Sequence, residues 1–293
     1  MGQFKRAFVF IIAMVVSLVV VATPSFADES SRVLVENSWR FQDGQSITPE
    51  EDSEDAGIST YSLSRLPDGV TAQGIDVSEH QGNINWDAVK ASGVDFAILR
   101  VGFGAPSFGG RTDYQFQRNI SECERLGIPY GIYLYSYAWD DGQAADEAAF
   151  VISNIAGHSP QLPIYYDLED NSIIADGRQG GIASRASVFC NRIINAGYKV
   201  GIYANLNWFN NILTDPVFNS PSWDHWIAQY NYQCDYAGKY SFWQYASDGS
   251  VDGISGSVDM NYAYITIESN EKKWDRADEL AAAHSSDLPD GTY

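Results

Sequence analysis

From Gly74 onward, short apolar runs alternate with segments whose apolar positions recur at helical spacing. The runs Gly74–Ser78, Phe96–Gly102, Tyr130–Tyr137, Pro163–Glu169, Lys199–Asn205, His225–Tyr230, Phe242–Ala246 and Ser257–Tyr262 read as strands. Helices are expected over Trp86–Ala91, Asp113–Leu126, Gly142–Ile155 and Ile182–Ala196. Gly93, Gly127, Gly157 and Gly197 stand just beyond these segments, where a left-handed residue ends a helix. Gly131-Ile132-Tyr133 recurs as Gly201-Ile202-Tyr203, an interval that fits two strand–helix units and hence parallel strands with crossover helices. The last three strands lie too close together for full helices. The expected fold class is therefore α/β, an irregular (β/α) barrel, TIM-barrel-like, with later strands lacking full helices and the final ones antiparallel.

Within a strand, successive side chains point to opposite faces, and this sorts the polar residues. Ile75 and Val77 oppose Asp76; Ala97, Leu99 and Val101 oppose Ile98 and Arg100; Ile132 and Leu134 oppose Tyr133, Tyr135 and Tyr137. Ile164, Tyr166 and Leu168 oppose Tyr165, Asp167 and Glu169, and Val258, Met260 and Tyr262 oppose Asp259 and Asn261. One face meets helices. The other carries carboxylates, Arg and Tyr into the barrel, and its strand-end members rim the mouth where barrels do their chemistry. Asp167 and Glu169, two residues apart on one strand, have Cα atoms roughly 6.5 to 7 Å apart at a rise of about 3.3 Å per residue. Carboxylates held so close do not both ionise freely, which sets a proton donor beside an anion, the pair that cleaves glycosidic bonds. An Asp-x-Glu triplet alone equally marks an ordinary strand end; the inward Asp76 and Asp259 shift the reading toward a site, since converging buried acids are costly without a function.

Outside this region the chain changes character. Met1–Ala27 has two bases, Lys5 and Arg6, an apolar stretch from Ala7 to Ala22 and the small-x-small triplet Ser25-Phe26-Ala27. It reads as a secretory signal cleaved after Ala27, with an uncleaved membrane anchor as the competing reading. Residues 28–72 hold ten acids against Arg32, Arg40 and Arg65, centred on Glu50-Glu51-Asp52-Ser53-Glu54-Asp55, and are expected to be a disordered linker. The catalytic barrel is expected over 73–267 and a tail over 268–293, with Trp274–Leu280 a candidate peripheral helix. The whole chain carries 18 basic and 38 acidic residues, a net charge of −20, which excludes binding to nucleic acid and, once the signal is cleaved, stable association with anionic membranes. Cys123, Cys190 and Cys234 are odd in number and read as free thiols. Four scattered histidines suggest no metal site, and no cofactor is expected.

Four separated stretches then converge on one family. Gly74-Ile75-Asp76-Val77-Ser78-Glu79-His80-Gln81-Gly82, Tyr165-Tyr166-Asp167-Leu168-Glu169, Trp226-Ile227-Ala228-Gln229-Tyr230, and Trp243-Gln244-Tyr245 through Gly253–Asn261 resemble, in order and spacing, the lysozymes of glycoside hydrolase family 25. The resemblance covers residues 73 to about 265. It implies an N-acetylmuramidase that hydrolyses the β-1,4 bond between N-acetylmuramic acid and N-acetylglucosamine in peptidoglycan glycan strands, outside the cytoplasm. Carried over, Glu169 is the general acid, Asp167 its partner carboxylate, and Asp76 and Asp259 the further acids of the site. The candidate sugar contacts are Tyr135 foremost, with Tyr203, Gln229, Trp243 and Arg100; for Arg100 a structural ion pair, with Asp76 a candidate partner, is the alternative. His80 reads as a loop hydrogen-bonder. Retention through attack by the substrate's own acetamido oxygen is the expected course. A chitinase-like glycosidase and a non-catalytic wall-glycan binder stay open as alternatives.

Overall fold

The computed structural model describes residues 67–231 and 233–267, together with the backbone of a small antiparallel pairing between Phe41–Gln42 and Gln45–Ser46. The signal reading of 1–27, most of the acidic 28–72 segment, the 268–293 tail and the Trp274–Leu280 helix lie outside the described residues. Eight strands close a barrel: β1 (Ala72–Val77), β2 (Phe96–Phe103), β3 (Tyr130–Tyr135), β4 (Ile164–Asp167), β5 (Val200–Asn205), β6 (Trp223–Ala228), β7 (Phe242–Gly249) and β8 (Val258–Ala263). β1 to β7 are parallel to their sequence neighbours, and β8 alone runs antiparallel between β7 and β1. A two-residue strand, Arg111–Thr112, adds to the end of β2. Just before β1, the Thr71 amide donates to Ala263 O, so the barrel begins ahead of residue 73.

The α-helices among the described residues are α1 (Trp86–Ala91), α2 (Phe116–Leu126), α3 (Asp141–Asn154), α4 (Ile182–Asn195) and a short α5 (Leu206–Asn211). α2 starts later than the sequence predicts because Asp113 turns its carboxylate to other work, accepting the Gln115 amide at 2.8 Å and the Arg100 guanidinium at 2.9 Å. α5 lacks a predicted counterpart; Asn205 at the end of β5 caps it by accepting the Trp208 amide. β4 ends at Asp167 rather than Glu169, since Asp170 accepts the Ser172 amide and opens a 3-10 turn. Glu169 therefore sits on the first residues of the loop.

Two apolar layers result. Ile75, Val77, Leu99, Val101, Ile132, Leu134, Ile164, Tyr166 and Ile202 pack outward against Val89, Phe116, Ile120, Val151, Phe189 and Ile193 of the helices. Inside the barrel, Phe96, Ile98, Tyr165, Tyr203, Trp226 and Phe242 fill the floor. The repeated glycine of the two Gly-Ile-Tyr segments serves this plug: a Cβ on Gly201 would stand 2.5 Å from Tyr165 Cε1. Among the described residues no helix lies between β6 and β7, and there the barrel covers its outer face with aromatics instead, Trp243 beside Tyr245 and Tyr262, whose rings stack at 4.0 Å.

Candidate active site

Above the aromatic floor, the mouth of the barrel is a pocket walled by Asp76, Arg100, Tyr133, Tyr135, Asp167, Tyr203, Trp226, Gln244 and Asp259, with Val77, Ser78, His80 and Gln81 from the end of β1. Strand parity accounts for its walls. Each wall residue on a strand lies two positions beyond a floor residue or belongs to the same inward set: Ile98 then Arg100, Tyr165 then Asp167, Phe242 then Gln244. Ser78 caps the turn after β1, accepting the His80 amide while Gln81 returns to the Ser78 amide, which holds both His80 and Gln81 at the rim.

Asp76 and Asp259 face one another directly across the antiparallel β1–β8 pairing. Burial raises Asp76 to about 6, against the hydrogen bonds it receives from Asn261, Gln244 and Asp259. Burial, followed by the charge of Asp76, pushes Asp259 well above the usual carboxylate range. Two buried carboxyls placed face to face favour a single negative charge between them. Around them runs a directed network: Asp76 Oδ2 accepts Gln244 Nε2 at 2.9 Å and Asn261 Nδ2 at 2.7 Å, Gln244 Oε1 accepts the Tyr203 hydroxyl at 2.9 Å, and Asn261 Oδ1 accepts Trp226 Nε1 at 2.8 Å. Tyr230, just past β6, adds its hydroxyl to Gln244 Oε1 at 3.3 Å.

Asp167 closes the opposite wall. Glu169, 5% exposed, is not part of the pocket wall proper, yet its charge acts on the hydroxyls of Tyr135, Tyr203 and Tyr230, all held well above the ordinary tyrosine value by burial first. Asp167 likewise acts on Tyr133, Tyr135 and Tyr203. The four acids thus meet around one set of tyrosines, brought from β1, β4 with its loop, and β8. Tyr135 lines the pocket and donates to Asp170 at 3.2 Å.

The remaining sugar-contact candidates divide. Tyr203 and Arg100 line the pocket. Arg100 donates to Asp113 at 2.9 Å and stands 3.7 Å from Glu79, two acids that reading the sequence did not pair with it. Against the pull of burial, Arg111, the Tyr114 amide and Arg100 hold Glu79 down at about 2. Gln229 and Trp243 do not line the pocket. Gln229 is wholly buried and clamps the β6–β7 loop, donating to Asp235 Oδ2 at 2.6 Å and accepting the Asp235 amide at 2.7 Å. Trp243 points to the helix-free outer face and donates to Gln229 O at 2.7 Å. The structure adds Gln244, Asn261, Tyr133, Trp226 and Tyr230 to the site residues expected from the sequence. Parity applied to β7 would have found Gln244, since it turns Trp243 outward and its neighbour inward. His80 is at the rim, its imidazole pKa lowered by burial and then by Arg100.

No cysteine among the described residues is bridged, and no cluster of metal-ligating side chains occurs among them.

Comparison with known proteins adds to this geometry. Lysozyme M1 of Streptomyces globisporus is 30% identical over 202 residues, covering 64% of this chain and 66% of that protein. The autolytic lysozyme of Clostridium acetobutylicum is 28% identical over 191 residues, covering 64% of this chain and 55% of that protein. The chain thus spans between about half and two thirds of the length of these relatives. Among solved structures, the modular autolysin LytC of Streptococcus pneumoniae in complex with a synthetic peptidoglycan ligand superposes with a TM-score of 0.58 at 30% identity, over 65% of this chain and 46% of that one. Residues 75–254, from the strand that carries Asp76 almost to the one that carries Asp259, match the model of Glycosyl hydrolases family 25, and the chain belongs to that family.

Proposed function

We propose that this protein is a secreted lysozyme, a 1,4-β-N-acetylmuramidase that cleaves the bond between N-acetylmuramic acid and N-acetylglucosamine in peptidoglycan. The observation that carries this reading is the convergence of Asp76, Asp167 and Asp259 on one tyrosine-lined pocket, with Glu169 beside it where its charge acts on Tyr135 and Tyr203. The names of the relatives support it, as does the peptidoglycan ligand of LytC. Glu169 gives its proton to the bridging oxygen as the C1–O bond breaks. The acetamido carbonyl oxygen of the same sugar attacks C1 and closes an oxazolinium ring, whose N–H the Asp167 carboxylate accepts. Water then attacks C1, Glu169 takes its proton, and the acetamide re-forms with the original anomer retained. The Asp76–Asp259 pair, its carboxyls raised by burial, offers acceptor oxygens to a sugar hydroxyl without adding a second full negative charge.

Purified Glu169→Gln, assayed on isolated peptidoglycan, is expected to lose about 10²- to 10⁴-fold in rate, the usual contribution of general acid–base catalysis. Mass spectrometry of the products should find N-acetylmuramic acid at the new reducing end. Release of N-acetylglucosamine ends, or faster cleavage of chitin than of peptidoglycan, would overturn the assignment of the bond. An inverted first-formed anomer would reject the acetamido route. Export rests on Met1–Ala27, and an intact mass in the culture medium that still includes those residues would refute the cleavage after Ala27.

A further inference from the structure

One buried acid takes no part in the chemistry above. Glu147, on the barrel side of α3, is wholly buried. Its Oε1 accepts the Tyr137 amide at 2.9 Å, and its Oε2 accepts the hydroxyls of Ser136 at 2.9 Å and Tyr166 at 2.6 Å. Burial pushes the carboxyl up to about 7, while these donors and the Ala138 amide pull the other way. A leucine or methionine would fill such a place at less desolvation cost, so the acid is there for its directed bonds.

Those bonds reach two strand ends at once. Ser136 and Tyr137 continue β3 directly after Tyr135, and Tyr166 is the residue before Asp167. The two hydroxyl oxygens also stand 2.9 Å apart, and the Ser136 amide donates to Asp167 O at 3.1 Å. Beyond Asp167, the Leu168 amide donates to Tyr203 O at 2.9 Å and leads straight into Glu169. The Tyr166 ring is stacked on Phe189 of α4 at 3.9 Å, which holds its hydroxyl in place.

Resting on the hydrolase reading, we infer that Glu147 is a positioning residue for the reaction: from behind the barrel wall it clamps the ends of β3 and β4 together and thereby sets Asp167, Glu169 and Tyr135 over the sugar. It touches neither substrate nor the reacting atoms. Small displacements of reacting groups are costly, about 10²-fold for 1 Å, so a clamp of this kind acts on turnover more than on binding.

The test uses Glu147→Gln, Glu147→Ala and Tyr166→Phe with two readouts, turnover of isolated peptidoglycan and hydrogen exchange at the Ser136 and Leu168 amides. Glu147→Ala is expected to lower kcat about tenfold or more with KM nearly unchanged, and Glu147→Gln to restore most of it, since the amide oxygen still accepts the Tyr137 N–H. Tyr166→Phe keeps the stack on Phe189 and is expected to fall between them, so the proposal remains decided if Glu147→Ala does not fold. Exchange at both amides should quicken about tenfold in Glu147→Ala and Tyr166→Phe. Folded variants with wild-type kcat and wild-type protection overturn the clamp. A wild-type protein that leaves peptidoglycan intact refutes the hydrolase reading instead, and the exchange data still decide whether Glu147 holds the two strand ends.

Discussion

At the scale of single residues, the pairing of Asp76 with Asp259 has a consequence for pH. Both carboxyls have pKa values raised in the folded protein above that of free aspartate, about 3.9. The folded state therefore binds more protons than the unfolded one above that value. Stability from the pair is fully present below about pH 4 and is lost as pH rises through the Asp76 value of about 6 and through the raised value of Asp259. Asp259→Asn replaces the shared proton with a fixed amide donor, so its melting temperature should fall less between pH 5 and pH 8 than that of the wild type. Glu147, raised to about 7, contributes the same sign in both proteins and cancels in that difference. Equal slopes for the two proteins would mean that no proton is shared. Parity made Asp76, Asp167 and Glu169 legible as inward residues, but it says nothing about which acid faces which. Gln229 and Trp243, expected as sugar contacts, instead support the β6–β7 loop and the outer face of the barrel.

At the scale of elements, the barrel floor depends on strands that leave room for large rings. Gly201 on β5 lies against Tyr165 of β4, with Asp224 O of β6 only 2.7 Å from where its Cβ would be. Gly201→Ala has a flat ring on one side and backbone on the other, and neither yields easily. Denaturant unfolding should find it about 1 to 3 kcal/mol less stable than the wild type, the usual cost of overpacking; an unchanged midpoint would indicate that Tyr165 can move aside. The strand and helix alternation was readable because apolar spacing switches between two and 3.6 residues. The ends were less readable. α2 begins after Asp113 and β4 stops at Asp167 because side-chain bonds to Arg100 and Ser172 override the local pattern.

At the scale of the whole molecule, the net charge of −20 sets long-range repulsion against walls that carry anionic polymers. Raising ionic strength from about 10 to about 150 mM shortens the screening length from about 30 to about 8 Å. Hydrolysis of such walls should therefore quicken over that range, while hydrolysis of peptidoglycan stripped of anionic polymers stays level. A fall in rate on both substrates would point to an attractive electrostatic contact instead.

Amino-acid order alone determined which residues face the barrel axis, since side-chain alternation is a property of each strand by itself. It also pointed to polar residues gathering toward one end, because Ile98 precedes Arg100 and Tyr165 precedes Asp167 along their inward sets. Register between strands was decided only in the tertiary structure. Asp259 meets Asp76, and Gln244 and Asn261 aim at the same carboxylate, because β8 turns antiparallel and closes on β1. Closure joins the two ends of the domain, and no local pattern carries the position of a partner so distant along the chain.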